Sequence, residues 1–256
     1  MSFGNWNPRR YLEIYFPKDI GYEPAIEFIV QQRKNFQGKI GVEIGSGPTV
    51  CYFSAAADSL KGIYVSDFLE ANLEEIKKWA DGSGYDWGNF SRMILEYDGS
   101  NQSISEYERE VKGKLSGFLH CDIREKDIFG NKFDFVMSFY CADSMTDDKE
   151  KWKEYFTNIL NVVRPGGFFI GGALYRCRKY MIDGAEFPSA NLDENDVRDA
   201  MIDAGMYDIT VKVADDSMPK DKEKREQLNY TKIILMSGFR QGRPSLEDIT
   251  GSHALG

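Results

Sequence analysis

The chain reads as an α/β protein, a doubly wound sheet whose parallel strands are joined by helices. Three observations predict this. Short β-rich runs alternate with stretches of helical periodicity along most of the 256 residues, the pattern of right-handed crossovers between parallel strands. The first run, Ile40-Gly-Val-Glu-Ile44, breaks directly into Gly45-Ser-Gly47-Pro-Thr49, as a buried strand does when it ends in a tight turn. The later strands end in functional groups at Asp67, Asp122 and Tyr140-Cys141. Ligands of such sheets bind beyond the carboxyl ends of the strands, where strand order reverses. Those four strand ends therefore define one candidate site.

Composition narrows the classes. Hydrophobic residues make up 42% of the chain and aromatic residues 14%, enough for a sizeable core at this length. A net charge of −9 argues against general nucleic-acid binding. No apolar run reaches membrane-spanning length, and Met1-Ser2-Phe3-Gly4-Asn5 lacks the zones of a signal peptide. The four cysteines, Cys51, Cys121, Cys141 and Cys177, form no CxxC pair. Reduced thiols in a cytoplasm are the expectation. With only His120 and His253 available, no metal site is expected.

In chain order, residues 5–16 predict a helix with Asn7 as N-cap and Pro8 in its first turn. Tyr11, Leu12 and Tyr15 fall on one side of it, as packing residues or as part of a site. A second helix restarts at Gly21-Tyr22-Glu23-Pro24 and runs to about residue 35, and Gly38 ends it before the glycine strand. Glycine in that turn permits positive φ and close approach of a ligand to the backbone. Glu43 lies within the strand, where an acid is costly to bury alone.

The second strand, 62–67, ends in Asp67 about 20 residues past the glycine turn, the place of a ribose-hydroxyl acceptor in nucleotide folds. Asp67 also suits the N-cap of a helix over 69–81, with Asn72 facing the same pocket. Residues 82–115 read as a polar insertion, helical in its second half. Strands follow at 117–123 and 132–140, then a helix at 147–163 with Trp152, Tyr155, Phe156, Ile159 and Leu160 as its core stripe. Arg164-Pro-Gly-Gly167 predicts a turn before a fifth strand at 168–174. A helix over 193–204 ends at Gly205. Two closing strands, 208–214 and 231–239, flank a charged run at 220–226, and 240–256 is a polar tail in which His253 is solvated.

Two nucleotide-binding classes compete for such a sheet. A nicotinamide dehydrogenase wants G-x-G-x-x-G/A, whereas Gly45-Ser-Gly47-Pro-Thr-Val50 lacks the third glycine. The shorter turn, the acid after strand two and the acid after strand three fit an S-adenosylmethionine site instead.

The chain resembles the nicotinamide, phenylethanolamine and indolethylamine (thioether) methyltransferases. The likeness rests on Asn7-Pro-Arg-Arg-Tyr-Leu-Glu-Ile-Tyr-Phe16, Ile44-Gly-Ser-Gly-Pro-Thr49, Ser66-Asp-Phe68, Asn72, Trp79 and Tyr85-Asp-Trp87. It continues through Cys121-Asp122-Ile123, Pro165-Gly-Gly-Phe168 and Tyr180-Met-Ile182. The resemblance implies a Rossmann-like seven-stranded sheet, mostly parallel with an antiparallel edge strand, under an N-terminal helical lid. It implies one methyltransferase domain over 1–256: lid 1–37, core 38–239 and tail 240–256. S-adenosylmethionine is the implied cofactor, with S-adenosylhomocysteine as product and a small-molecule amine or heterocyclic nitrogen as acceptor. Tyr11 would stand between donor and acceptor with Tyr15 and Phe16 nearby. Gly45, Ser46, Gly47 and Thr49 would hold the amino-acid end, Asp67, Phe68 and Asn72 the ribose side, and Cys121, Asp122 and Ile123 the adenine. Phe139 and Tyr140 would complete the cofactor wall, and Cys141, Tyr175, Arg176 and Tyr180 would face the acceptor.

One departure bears on the acceptor. The nicotinamide enzyme carries an aspartate at the end of strand five, where this chain has Gly171-Gly172-Ala173-Leu174. Arg176, Arg178 and Lys179 nearby offer an anion site or simply a solvated loop. O-methylation would call for a base, for which Asp143 and Glu43 are the candidates. S- or O-methylation and a catalytically silent cofactor-binding module stand as alternatives. The expected state is a monomer or a weak homodimer, with no nucleic-acid or membrane partner.

Overall fold

The computed structural model describes residues 6–17, 22–182, 184–216 and 230–242. The charged run at 220–226, the tail beyond 242 and Gly21 lie outside them. Helix α1, Pro8–Tyr15, starts as its sequence dictates: the Asn7 side chain accepts the Arg10 N–H at 3.0 Å, with Pro8 in the first turn. Helix α2, Pro24–Gln32, is capped by Glu23, whose carboxylate accepts the Ala25 N–H.

The sheet begins with β1 (Ile40–Ile44), then α3 (Cys51–Ala57), β2 (Gly62–Asp67) and α4 (Glu70–Asp81). Helices α5 (Gly88–Asp98) and α6 (Ile104–Lys114) come before β3 (Leu115–His120) and β4 (Phe133–Phe139). Helix α7 (Lys149–Asn161) leads to β5 (Val163–Leu174), followed by the hairpin β6 (Lys179–Ile182) and β7 (Ala185–Pro188). Helix α8 (Glu194–Asp203), β8 (Met206–Asp215) and β9 (Lys232–Arg240) close the fold.

Seven strands pair in the order β3-β2-β1-β4-β5-β9-β8. All pairs from β3 to β5 are parallel. The antiparallel edge is made by β9, which pairs antiparallel with β5 on one side and with edge strand β8 on the other. Strand order reverses between β1 and β4, so a crevice opens at their carboxyl ends. On one face Phe36 stacks on Phe135 at 4.2 Å beside the buried α2 and α3 residues. On the other, Trp152 and Phe156 of α7 pack with Val42, Val136 and Phe169.

Three local expectations change. The 82–115 stretch is helical in both halves, because Phe90, Met93 and Ile94 give α5 an apolar face. Trp87, Phe90 and Tyr107 are buried in the main core, so this stretch is part of the packed body. Arg164-Pro-Gly-Gly167 is a bulge inside β5: Val163 pairs with Phe133, then the register shifts and Phe168 pairs with Phe135. The third strand stops at His120, which leaves Asp122 and Ile123 in the loop beyond it.

Candidate functional site

The glycine turn is shaped by its neighbours. Gly45 has φ +68°, and a Cβ there would lie 2.1 Å from the Cys141 sulfur, so only glycine lets the two strand ends meet. Asp67, at the end of β2, fixes the turn from the side. Its Oδ2 accepts the Gly47 N–H at 2.8 Å, and its Oδ1 accepts the Leu69 N–H at 2.8 Å and the Asn72 amide at 2.9 Å. Burial nonetheless raises the Asp67 pKa, because lost solvation outweighs these three bonds. Asn72 in turn accepts the Trp6 indole N–H at 2.7 Å, which ties the chain ahead of α1 to the Asp67 network.

These groups wall a cleft with about 940 Å³ of empty space, counted to its open mouth. Gly45, Ser46, Gly47 and Thr49 line it from the turn after β1, Asp67 and Phe68 from the end of β2, and Asn72 from α4. Cys121, Asp122 and Ile123 line it from the loop after β3, and Phe139, Tyr140 and Cys141 from the end of β4. Tyr11 and Tyr180 close it from above. The Asp122 carboxylate is gripped by Arg124, which holds its pKa below the usual range. The guanidinium also lies 5.1 Å over the half-exposed Phe68 ring. Burial pushes the Cys121 thiol up to about 12, so it stays neutral and packs as a small apolar wall.

A second cavity opens behind Tyr11. It is lined by Tyr15, Phe16, Glu23, Leu174, Asp216 and Tyr230, and it shares Tyr11, Tyr52, Tyr140, Ser144 and Tyr180 with the cleft. Tyr15 and Phe16 therefore face this cavity and not the cleft. The Tyr15 hydroxyl donates to the Met181 carbonyl at 2.6 Å, and its ring stacks on Tyr11 at 4.9 Å. Tyr140 sits in the left-handed region at φ +54°, and its hydroxyl is buried with no hydrogen-bond partner among the described residues.

Tyr175 and Arg176 line neither cavity. Arg176 is exposed, 3.9 Å from Asp193, and Lys179 pairs with Glu186 at 2.6 Å. The basic loop thus points to solvent and does not form an anion pocket. Neither base candidate lines a cavity. Asp143 accepts the Leu174 N–H at 2.9 Å, and burial raises its pKa to about 7. Glu43 is 1% exposed, and burial raises it well above the carboxylate range. The missing acid of β5 also has a steric reason: a Cβ at Gly171 would meet the Ser138 carbonyl at 2.5 Å, and one at Gly172 would meet Phe139 at 2.8 Å.

Trp6, Tyr52, Ser144, Met145, Ile182 and Phe187 line the cleft without having been singled out from sequence. Tyr52 had a signal, its place in the first turn after the glycine loop. Ile182 had one in the Tyr180-Met-Ile182 stretch of the family likeness, and Phe187 had none. Among the described residues no three His, Cys, Asp or Glu side chains are placed to hold a metal ion.

The donor set fits S-adenosylmethionine. The buried Asp67 carboxylate lines the cleft and is of a kind to accept ribose hydroxyls, the glycine turn brings backbone close to the cleft, and Leu69, Ile123 and Met145 offer apolar wall. Comparison with known proteins agrees. The model of the NNMT/PNMT/TEMT family matches residues 2–232. Nicotinamide N-methyltransferase of Homo sapiens is 26% identical over 216 residues, covering 78% of this chain and 82% of that protein. Indolethylamine N-methyltransferase of Oryctolagus cuniculus is 27% identical over 217 residues, covering 79% and 82%. In fold, the chain is similar to magnesium protoporphyrin IX methyltransferase from Synechocystis PCC 6803 with bound SAM. That match has a TM-score of 0.57 and 16% identity, and it covers 93% of each chain. The chain thus belongs to the NNMT/PNMT/TEMT family of S-adenosylmethionine-dependent methyltransferases.

Proposed function

We propose that the enzyme methylates a nitrogen of a small molecule held where the two cavities meet. The observation that carries this reading is the shared wall: Tyr11, Tyr52, Tyr140, Ser144 and Tyr180 border both spaces. The donor supplies an electrophilic methyl group: the acceptor lone pair forms the new N–C bond as the S–C bond breaks with its electron pair going to sulfur. The protein's part is positioning, exclusion of water and a suitable field. The Tyr11 ring presents a face that favours a cation on the cleft side. Its hydroxyl, kept protonated by burial, is available as a hydrogen-bond donor to the acceptor. Asp143 and Glu43 line neither space, and among the described residues no carboxylate borders both, which suits a neutral nitrogen better than an alcohol.

The relatives named for nicotinamide and indolethylamine are both N-methyltransferases, which favours nitrogen over sulfur or oxygen. Four free cysteines suit a reducing cytoplasm, where we place the enzyme. The test is methyl transfer from labelled S-adenosylmethionine to matched panels of amines and N-heterocycles, thioethers and phenols. Nitrogen products should dominate. Transfer only to a thioether or a hydroxyl would overturn the nitrogen reading, and binding without any transfer would favour a silent module.

A further inference from the structure

Among the described residues, the side chains of Tyr11, Tyr52, Tyr140, Ser144 and Tyr180 bring hydroxyls to the border of the two spaces. Of these, the Tyr140 hydroxyl is the one that is buried without a hydrogen-bond partner. Its backbone is also out of the ordinary. The described non-glycine residues at positive φ are Tyr140, Arg176, Asn191 and Asp208, and of these Tyr140 alone lines either cavity. A bulky residue at φ +54° is disfavoured unless its surroundings hold it there. They do so here. The Tyr140 N–H donates to the Gly172 carbonyl at 2.8 Å, and the ring lies edge-on to Tyr52 at 6.0 Å and tilted to Phe139 at 6.2 Å. A phenylalanine ring would make the same contacts, so packing does not account for the hydroxyl. In the empty protein it is a cost, because a buried donor without a partner has lost its hydration.

A molecule held at the junction would meet that hydroxyl. Burial keeps it protonated, well above the usual phenol range, so it offers an O–H to a lone pair. That lone pair is not the one on the reacting nitrogen, because a nitrogen that accepts a hydrogen bond there has no free pair for the new N–C bond. The Tyr180 hydroxyl is engaged by Ser144, and the Tyr15 hydroxyl by the Met181 carbonyl. Resting on the nitrogen-methylation reading, we propose that Tyr140 is a specificity-determining residue. Its hydroxyl donates to a second, neutral atom of the acceptor, such as a carbonyl oxygen, while the nitrogen faces the methyl group. A molecule without that atom leaves the hydroxyl unpaired and one with it satisfies the hydroxyl, so compounds of nearly the same shape are told apart.

The test is calorimetric binding to the full chain saturated with S-adenosylhomocysteine, together with thermal denaturation of the empty protein. The probes are two matched pairs, 3- and 4-acetylpyridine, which carry a carbonyl oxygen, and 3- and 4-ethylpyridine, which do not. In wild type the acetyl member of at least one pair should bind roughly tenfold tighter than its ethyl partner. Tyr140→Phe should remove that preference without weakening the binding of ethylpyridine or S-adenosylhomocysteine. It should also melt at the temperature of wild type or above it, whereas loss of a hydroxyl that holds the fold together would lower that temperature. Equal affinity within both pairs, no binding of either acetyl probe, or a preference that survives in Tyr140→Phe would overturn the proposal. So would a loss of S-adenosylhomocysteine affinity or a lower melting temperature in that variant. Methyl transfer is read separately on the same probes. A carbonyl preference that depends on Tyr140, without transfer to nitrogen, would strike the nitrogen reading and leave the recognition role of Tyr140 standing.

Discussion

Asp67 shows how much one residue can be read to do. Its spacing from the glycine turn marks it as a ribose acid, and its place before a helix marks it as a cap. The structure does not give it the second role: the N-cap of α4 is Leu69, without a side-chain cap, and the Asp67 carboxylate accepts the Leu69 and Gly47 amides and so fixes the turn. Only 7% exposed, it still lines the cleft. Asp67→Ala should weaken S-adenosylhomocysteine binding by roughly 1.5–3 kcal/mol, the range for hydrogen bonds to a charged group. Unchanged affinity in calorimetry would remove it from the site. Asp143 was legible only as an acid near strand four. Its burial is a tertiary fact, and it turns a base candidate into a structural one. Its carboxyl ionises near 3.8 when unfolded but holds its proton to about 7 when folded. Stability from this group is therefore complete below about pH 4 and is lost as pH rises to about 7. At about 1.4 kcal/mol per unit, the loss between pH 5 and pH 8 is roughly 2–3 kcal/mol. Asp143→Asn keeps an acceptor for the Leu174 amide and should abolish that slope. Denaturant titrations of both proteins at the two pH values check it, and parallel slopes would contradict it.

At the scale of elements, the roof over the site joins α1 to the β6–β7 hairpin. Tyr15 bonds to Met181, Tyr180 stacks on Phe187 at 5.5 Å, and Phe187 meets Trp6 edge-on at 6.3 Å. Tyr15→Phe removes the hydroxyl bond and keeps the ring. About 1 kcal/mol of closure should be lost, seen as faster release of S-adenosylhomocysteine in stopped-flow displacement. An unchanged off-rate would mean that the tether does not gate the cleft. Helix α1 was legible because Asn7 and Pro8 are local signals that need no partner. The hairpin was not, because each of its strands has four residues and its register depends on rings from distant elements. Residues 82–115 misled for a related reason. Charges and glycines dominate their composition, while the few apolar residues that matter, Trp87, Phe90 and Tyr107, show their role only once packed against α2 and α3.

At the scale of the whole molecule, the order β3-β2-β1-β4-β5-β9-β8 brings four strand ends together that are far apart in sequence. That convergence was legible, since each strand carried its functional group at its carboxyl end. The second cavity was not, because Glu23, Asp216 and Tyr230 belong to segments without a shared motif and meet only through the fold. Tyr11 borders both spaces, and the central claim is that methyl transfer happens at that border. The most direct test compares turnover, donor affinity and thermal stability in wild type, Tyr11→Phe and Tyr11→Ala. Turnover should fall in that order, by about tenfold or more for alanine, while the alanine variant still folds because the sheet core lies elsewhere. An alanine variant with wild-type turnover would contradict the account, as would stability and activity collapsing together.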